Sequence, residues 1–315
     1  MPLSKKKAGL QTMLDSGLVT KGSDPKFVLH RIPFGLPDLD KIVNGGLPRK
    51  RVSIFTGEWS SGKSFLLQLL MKHAQEESLS VAYIDTERGF DPDWWKQVGL
   101  DINNVWVSQP LSGEAGINAA LELAESGFDV VAIDSIAGLV PEDMVEEGAE
   151  KNFVALQARL VTRLMQKALT VPHNAAIVCT NQLRSHLGPG PIDTMPGGWA
   201  QSFFSHVLLR IYRESWIEEK GAKVGFNMKV ICRKSKVGTP YGECSLPFRF
   251  RGDIDILALL VGRAIDGGFI VQTGPWYSIF GGTRIQGMTA VLATLQENGE
   301  LRKRLEGSFG EVPAI

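Results

Sequence analysis

The chain alternates short apolar segments with longer segments in which apolar residues recur every three to four positions. Short segments that are apolar throughout predict strands buried on both faces of a parallel sheet. Four segments have this character: Arg51–Thr56, Ser80–Asp85, Asp129–Asp134 and Ala175–Thr180. Helical spacing lies between them, over Lys63–Ala74, Ala115–Ser126 and Phe153–Leu169. This alternation indicates the α/β class, with a mostly parallel central sheet flanked by helices.

The pattern changes on both sides of this alternation. Val207–Arg213 and Phe226–Arg233 have little helical sequence between them, so we expect the sheet to continue there in antiparallel fashion. Glycine-rich turns follow Leu260, with one last predicted helix at Met288–Leu295, and a short helix is predicted near the start, over Lys5–Leu18. We therefore expect a short N-terminal arm (1–32), a main α/β domain (33–260) and a small C-terminal lobe (261–315).

The composition is that of an ordinary globular protein. Of the 315 residues, 43% are hydrophobic and 22% are charged, which argues against disorder and coiled-coil architecture. No run of about 18 apolar residues predicts a membrane span, and no signal-peptide pattern is visible. Cys179, Cys232 and Cys244 are too few and too scattered for a disulfide framework or a zinc site. We expect buried, reduced thiols in a cytoplasmic protein.

The net charge is zero, but the charges are unevenly distributed along the chain. Residues 1–64 carry a net charge of +6, residues 65–158 of −13 and residues 159–315 of +7. A chain polarised in this way suits self-association or a polyanionic partner. Ordinary solvated faces would give the same numbers, so charge alone does not decide.

One octapeptide carries a specific chemical signal. Gly57-Glu58-Trp59-Ser60-Ser61-Gly62-Lys63-Ser64 matches the phosphate-binding pattern G-x-x-x-x-G-K-[ST] and falls between a predicted strand and a predicted helix. The glycines allow backbone N–H groups to surround phosphate oxygens, and Lys63 adds positive charge. The Ser64 hydroxyl is suited to bind Mg²⁺. The sequence therefore predicts a nucleotide site.

Two carboxylates follow predicted strands at the same edge of the sheet. Asp134 ends the third predicted strand, at the edge where parallel sheets bind ligands, and is the expected acid beside the metal. Asp134 could alternatively cap the following turn, but Ser135 can cap that turn instead. Glu87 follows the second predicted strand and is placed to orient or deprotonate an attacking water. Asp85 is the competing candidate, and alternation along the strand does not decide between the two.

These motifs resemble the RecA family of bacterial DNA strand-exchange recombinases and its phage-type (UvsX-like) homologues. The matching segments keep the family's order and spacing: the phosphate loop, Tyr83–Glu87, Asp91-Pro92, Ser108–Pro110, Val131–Ser135, Thr180–Arg184, Gly197-Gly198, Lys234–Pro240 and Gly274–Ser278. The resemblance covers about residues 32–305. It implies a RecA-like P-loop ATPase core.

The resemblance implies roles for residues around the nucleotide. Glu87 corresponds to the carboxylate that activates water for ATP hydrolysis, and Asp134 to the Walker B acid near Mg²⁺. Asp91 and Trp94 correspond to residues beside the adenine. Trp94 replaces the usual tyrosine there, and Leu257 replaces an aromatic residue on the other side.

Three further residues gain roles in the same way. Gln182 corresponds to the sensor of the γ-phosphate, which links the nucleotide to the DNA loop after it. Lys234 and Lys236 correspond to lysines that reach the ATP of the neighbouring protomer, as arginine fingers act in trans. From the residues alone, a Lys-x-Lys pair after an apolar strand is more typical of solvated surface.

The DNA site is implied in two loops and their flanks. The Gly/Pro-rich segment 185–196 corresponds to the family's second DNA loop, and the mostly acidic segment 142–152 to the first. Arg184 precedes the second loop, and Gly197 and Gly198 follow it. These glycines would donate backbone N–H groups to a DNA phosphate.

Basic residues on a predicted helix would support these loops. Arg159, Arg163 and Lys167 recur every four residues and so share one helical face. Arg159 corresponds to a DNA contact of the family, whereas Gln166 stands where another arginine is usual. An ordinary solvated stripe is the alternative interpretation.

The implied function is that of an ATP-dependent homologous recombinase with ATP and Mg²⁺ as cofactors. It would polymerise on single-stranded DNA as a helical filament and catalyse pairing and strand exchange with homologous double-stranded DNA in recombination and repair. We expect Phe27 and Val28 to form a strand that docks on the neighbouring protomer. We expect the protein to act without a membrane, in the cytoplasm of a bacterial or phage-infected cell, at the nucleoid. The alternatives are a non-exchanging ATP- and DNA-binding regulator, and a ring ATPase, against which Lys234 and Lys236 argue.

Overall fold

The structure is a computed structural model and describes residues 3–147, 153–183 and 195–309. The chain divides into two compact units, residues 1–30 and residues 31–315. The first unit contains helix α1 (Leu3–Asp15) and a 3-10 turn at Pro25–Phe27. Helix α1 ends earlier than predicted, because Gly17 adopts a left-handed backbone conformation with φ of +72°.

The second unit combines helices with strands. Its described strands are β1 (Arg31–Ile32), β2 (Leu47–Pro48), β3 (Arg51–Gly57), β4 (Val81–Asp85), β5 (Val105–Ser108), β6 (Val130–Asp134), β7 (Ala176–Gln182), β8 (Val207–Glu219), β9 (Ala222–Ser235), β10 (Glu243–Arg249), β11 (Asp253–Ile254), β12 (Ile270–Thr273), β13 (Trp276–Ile279) and β14 (Arg284–Gln286). Its described helices are α2 (Pro37–Ile42), α3 (Lys63–Glu76), α4 (Pro92–Val98), α5 (Gly113–Glu125), α6 (Glu142–Glu147), α7 (Phe153–Thr170), α8 (Ala200–Phe204), α9 (Ile256–Asp266), α10 (Met288–Glu297) and α11 (Gly299–Gly307). The predicted α/β class is confirmed.

A nine-stranded sheet with the order β11-β10-β9-β8-β3-β7-β6-β4-β5 forms the centre of this unit. The strands from β8 to β5 pair in parallel, and β9, β10 and β11 continue the sheet in antiparallel fashion. The predicted antiparallel continuation is thus confirmed, although β8 itself pairs in parallel with β3. Strands β8 and β9 extend beyond their predicted bounds. The sequence pattern missed their outer parts, because the residues there are largely exposed and polar.

Helices cover both faces of the sheet. One hydrophobic cluster packs α2, α3 and α4 against one face, and a second packs α5 and α7 against the other. Burial on both faces is the physical reason why the central strands are apolar throughout. Parallel pairing also brings the carboxyl ends of β3, β7, β6 and β4 to one edge, where the predicted chemical groups lie.

A third hydrophobic cluster joins α9, the antiparallel strands β12–β14, α10 and α11. Residue 261, the predicted start of the C-terminal lobe, lies inside α9. The prediction of a single last helix is wrong, because α11 follows α10. The Asn298 side chain accepts a hydrogen bond from Leu301 N (3.0 Å) and caps α11. Its sequence is mostly polar, with Leu305 buried, so it lacks a clear apolar period.

The structure bears on two expectations from the sequence: that the thiols are buried, and that no segment spans a membrane. Cys179 and Cys232 are buried free thiols, whereas Cys244 is partly exposed, contrary to the expectation that all three are buried. Within the described ranges, no helix combines the length and the apolar character needed to cross a membrane.

Candidate nucleotide and DNA site

The predicted phosphate loop joins the carboxyl end of β3 to the first turn of α3. Gly62 has a left-handed backbone (φ +99°), and a Cβ there would lie 2.5 Å from Met228 Sδ. A Cβ at Gly57 would lie 2.4 Å from the carbonyl oxygen of Ile211. Strands β8 and β9 therefore approach the loop so closely that only glycine fits at both positions. Ser61 Oγ is buried and has no hydrogen-bond partner among the described residues.

The outer residues of the loop are exposed. They are Glu58, Trp59, Ser60 and Ser64. The Arg213 guanidinium lies 5.8 Å from the centre of the Trp59 ring. The loop therefore presents an aromatic residue and hydroxyl groups to solvent, with its glycines packed behind them.

Lys63 begins α3 and interacts electrostatically with two carboxylates. Its Nζ donates a hydrogen bond to the carbonyl oxygen of Glu58 (2.7 Å). Burial lowers the pKa of Lys63, and the negative charges of Asp134 and Glu87 oppose that shift. The fold therefore collects one buried cation and two acids at the carboxyl edge of the sheet.

Asp134 is held rigidly at the end of β6. The Tyr83 hydroxyl donates to its Oδ2 (3.0 Å), and the Thr180 hydroxyl donates to its Oδ1. Burial and the charge of Asp134 raise the pKa of Tyr83, so this hydroxyl keeps its proton and remains a donor. The carboxylate is thus oriented by hydroxyl groups from both neighbouring strands.

The two competing carboxylates after β4 have different surroundings. Asp85 is fully buried, and its carboxylate accepts hydrogen bonds from Gly89 N (3.0 Å), Phe90 N (3.1 Å) and Gln109 Nε2 (2.9 Å). Both of its oxygens are therefore engaged in holding the loop after β4. Glu87 is exposed and accepts one hydrogen bond, from the Ser135 hydroxyl. Geometry thus leaves Glu87 with one oxygen that no described residue binds.

Ser135 departs from its predicted role. It lies at the capping position of the turn Ile136–Gly138, but its hydroxyl makes no capping hydrogen bond there. The hydroxyl donates to Glu87 instead, because the backbone of Ser135 is hydrogen-bonded to Thr86 Oγ1 on both its N–H (2.7 Å) and C=O (2.8 Å). The ends of β4 and β6 are joined by this contact.

The two predicted adenine residues lie at the start of α4. Asp91 caps that helix by accepting from Asp93 N (3.0 Å). Trp94 is half-buried, and its Nε1 donates to Gln68 Oε1 on α3 (3.2 Å). The indole is therefore fixed against the helix that begins at the phosphate loop. Leu257 packs at the edge of the C-terminal cluster.

Gln182 ends β7, directly opposite Gly57 in the register of the sheet. Its backbone N–H donates to Asn181 Oδ1 (2.9 Å), and the next residue, Leu183, donates its N–H to the carbonyl oxygen of Gly57 (3.0 Å). The predicted sensor therefore lies beside the start of the phosphate loop. Arg184 and most of the predicted second DNA loop lie outside the described residues.

The predicted DNA residues that the structure describes lie close together. A Cβ at Gly197 would lie 2.7 Å from Val161 Cγ2, and one at Gly198 would lie 3.1 Å from Ala158 Cβ. Both glycines therefore pack against α7. The same helix carries Arg159 and Arg163, both exposed, and the half-buried Lys167. Part of the first predicted loop, residues 148–152, lies outside the described residues.

Lys234 and Lys236 lie at the end of β9 and bind the C-terminal end of α8. Lys234 Nζ donates to the carbonyl oxygens of Ser202 (2.5 Å), Phe203 (3.0 Å) and Ser205 (2.7 Å), and Lys236 Nζ donates to that of Phe203 (2.6 Å). Cations complement the partial negative charge of a helix C-terminus. Burial and the charge of Lys236 lower the pKa of Lys234 to about 8. Sequence analysis identified the two lysines but gave no sign of this contact.

The donor set fits a magnesium nucleotide. Mg²⁺ at a nucleotide needs one or two protein oxygens, because phosphates and waters supply the rest. The Ser64 hydroxyl in the first turn of α3 and the Asp134 carboxylate are oxygens of this kind. The glycines of the loop and the unpartnered Ser61 hydroxyl fit a bound polyphosphate.

Sequence reasoning missed several supporting side chains. Tyr83 and Thr180 orient Asp134, Gln68 fixes Trp94, and the buried amides of Asn181 and Gln201 bind each other (2.7 Å). The available signal was a polar residue inside an otherwise apolar strand, as at Tyr83, Thr180 and Asn181. For Gln201, in the short helix α8, no sequence pattern pointed to burial.

Comparison with known proteins agrees with this geometry. The family model of the RecA N-terminal domain matches residues 11–255. The chain is 33% identical to the Protein RecA of Aquifex aeolicus (strain VF5), over 99% of this chain and 95% of that protein. It is 34% identical to that of Chlorobaculum parvum, over 94% and 88%, and 34% identical to that of Thermus aquaticus, over 92% and 87%. The chain therefore belongs to the RecA family.

Proposed function

We propose that this chain polymerises on single-stranded DNA and binds ATP and Mg²⁺ between adjacent protomers. As a member of the RecA family it is an ATP-hydrolysing recombinase that catalyses strand exchange in recombination and repair. The observation that carries the assignment of its site is the convergence of Lys63, Asp134 and Glu87 beside a glycine loop that β8 and β9 hold in place. The near full-length match to RecA relatives favours this function over that of a regulator.

In the proposed mechanism, each residue of the site has one task. Ser64 and Asp134 would hold a Mg²⁺ ion, which would supply positive charge beside the phosphates of the nucleotide. Lys63 leaves the Glu58 carbonyl and contacts the phosphates. Glu87 accepts the proton of the attacking water on the oxygen that Ser135 does not occupy.

The adenine would lie against Trp94. Its indole is already fixed by Gln68, so stacking costs little further side-chain entropy. Asp91, at the N-terminus of the same helix, would lie beside the base. Gln182 would contact the γ-phosphate, because it ends the strand next to Gly57.

Binding of DNA would depend on the backbone phosphates. Arg159 and Arg163 are exposed on α7 and have no salt bridge to another described residue, so their charges are available to a polyanion. Gly197 and Gly198 pack on the same helix and would donate backbone N–H groups. A contact between Arg184 and a DNA phosphate stays a prediction. Such contacts are independent of base sequence, as pairing by homology requires.

Assembly would complete each ATP site. Lys234 and Lys236 have no carboxylate partner among the described residues, so in a filament they would contact the phosphates on the neighbouring protomer. Phe27 and Val28 are exposed, although Phe27 ends a 3-10 turn and the predicted docking strand is not formed there. Their docking partner would be β5 of the neighbour, the edge strand that exposes Trp106. A cytoplasmic, nucleoid-associated location stays a prediction.

The decisive experiment measures joint molecules. The protein should pair a labelled single strand with homologous duplex when ATP and Mg²⁺ are present. Lys63→Ala should abolish pairing and ATP binding, whereas Lys72→Ala, on the same helix but outside the loop, should leave both unchanged. ATPase activity and filaments without joint molecules would contradict strand exchange by this chain.

A mixing experiment tests the trans lysines. The Lys234→Ala, Lys236→Ala double variant should bind ATP but hydrolyse it at least about 10³-fold more slowly, as for loss of an arginine finger. Mixing it with Lys63→Ala protomers should restore part of the activity, because some interfaces then pair an intact loop with intact lysines. No recovery in mixtures shown to co-assemble would leave the lysines as surface residues.

A further inference from the structure

A buried pair of side-chain amides joins the end of β7 to α8. Asn181 and Gln201 are both fully buried, and Asn181 Nδ2 donates to Gln201 Oε1 (2.7 Å). Asn181 Nδ2 also donates to the carbonyl oxygen of Pro196 (2.9 Å). Gln201 Nε2 donates to the carbonyl oxygens of Pro196 (2.5 Å) and Gly198 (3.1 Å). All four amide hydrogens of the pair are therefore engaged.

The pair lies between the proposed nucleotide sensor and the proposed DNA loop. Asn181 Oδ1 accepts from the backbone N–H of Gln182 (2.9 Å), which is opposite Gly57 in the sheet. On its other side the pair holds Pro196 and Gly198, at the end of the Gly/Pro-rich loop. The amide pair therefore connects the backbone of Gln182 to the described end of that loop.

The helix that carries Gln201 is also held at its other end. The carbonyl oxygens there accept hydrogen bonds from Lys234 and Lys236, the lysines proposed to serve the neighbouring protomer. Helix α8 thus connects a protomer's own phosphate loop to the surface that would complete the next ATP site.

Packing alone does not require amides at this position. The residues of β7 before Thr180 are apolar, and two apolar side chains would fill the space. They would, however, leave the carbonyl oxygens of Pro196 and Gly198 without these donors. A buried polar network is tolerated when each member is satisfied, and it then fixes one arrangement of its partners. The amide pair therefore fixes the relative positions of the backbone groups that it binds.

We propose that the Asn181–Gln201 pair couples the nucleotide to the DNA loop, with Gln201 as a positioning residue for DNA-stimulated ATP hydrolysis. The proposal rests on the proposed function. When Gln182 moves toward the γ-phosphate, its N–H shifts Asn181, and Gln201 transfers the shift to Gly198 and α8. DNA bound to the loop acts on Gln182 through the same contacts in reverse, since coupling between sites is reciprocal.

The test compares Gln201→Met, Asn181→Ala and the double variant. Gln75→Leu is the matched control, because its amide also donates to and accepts from the backbone, at Asp101 (2.9 and 3.0 Å), but at the far end of α3. The ATP dissociation constant and the DNA-free turnover of Gln201→Met should stay within about two-fold of the unmodified protein. Its stimulation by single-stranded DNA should fall about five-fold or more, the lower range of coupling between sites. The double variant should lose no more than the larger single loss, because the two amides act as one unit.

Hydrogen exchange gives a second measurement that does not depend on DNA. Adding ATP should slow exchange at residues 197–204 in the unmodified protein and should leave it unchanged in Gln201→Met. Normal DNA stimulation in Gln201→Met would overturn the coupling. So would an equal loss of stimulation, ATP affinity and thermal stability, which would indicate a structural role. If the unmodified protein is not stimulated by DNA, the proposed function fails, and the exchange result alone decides the role of the pair.

Discussion

The assignment of the catalytic carboxylate can be tested by two substitutions that should affect different properties of the protein. Glu87→Gln and Asp85→Asn each replace one carboxylate by the amide of the same shape. Glu87 is exposed and has one oxygen without a partner in the described part of the chain, whereas Asp85 is buried and accepts three hydrogen bonds. We therefore expect the first change to affect hydrolysis and the second to affect stability.

The magnitudes follow from these contacts. Glutamine at position 87 still accepts from Ser135, so ATP affinity should be unchanged, but loss of the base should slow hydrolysis ~10²- to 10⁴-fold. Asparagine at position 85 would turn an N–H₂ group toward backbone donors, lose at least one charge-assisted hydrogen bond and weaken the others. At about 1.5–3 kcal/mol for each such bond, the cost is about 3 kcal/mol. That corresponds to a fall in Tm of roughly 5–10 °C.

Single-turnover hydrolysis of labelled ATP with single-stranded DNA measures the chemical step, and thermal unfolding measures stability. Both variants are assayed at a temperature where circular dichroism shows them folded. We expect Glu87→Gln to hydrolyse ATP slowly at an unchanged Tm. We expect Asp85→Asn to be destabilised but to hydrolyse ATP at a near-normal rate. Normal hydrolysis by Glu87→Gln together with an inactive, fully folded Asp85→Asn would refute the reasoning and assign catalysis to Asp85.

Three further predictions concern other parts of the molecule. Trp94→Ala should raise the dissociation constant of ATP about ten-fold through loss of base stacking, whereas Trp276→Ala in the lobe should not; equal effects in a nucleotide titration would remove Trp94 from the site. Arg159→Ala should reduce the slope of log affinity for single-stranded DNA against log salt by about 0.7, whereas Lys72→Ala should leave it unchanged. Burial, Arg51 and the nearby lysines lower the pKa of His206 to about 4, so between about pH 6.5 and 4 the unfolded chain binds more protons and folding stability falls on acidification. Denaturant unfolding across that range should show a shallower loss in His206→Gln, and an identical loss would contradict the effect.

Much of the site could be predicted because its signals are local. The phosphate loop needs glycines at fixed spacing between one strand and one helix, and the pattern Gly57–Ser64 states this directly. Asp134 and Glu87 follow apolar strands, and parallel pairing sends the ends of such strands to one edge. Helix α11 and the outer halves of β8 and β9 were missed for the converse reason. Their residues are largely exposed, so no apolar period marks them.

The sequence by itself determined the fold class, the phosphate loop and the family, because each depends on residues close together in the chain or on the order of motifs along it. The tertiary structure gave Asp85 and Glu87 different surroundings, since they contact Gln109 and Ser135, which are distant from them in sequence. It also brought Gly197 and Gly198 onto the helix of Arg159, and Lys234 onto the end of α8. Hydrogen bonds and burial between remote segments produce no periodic pattern in a sequence, because the partners come into contact only after the sheet has assembled.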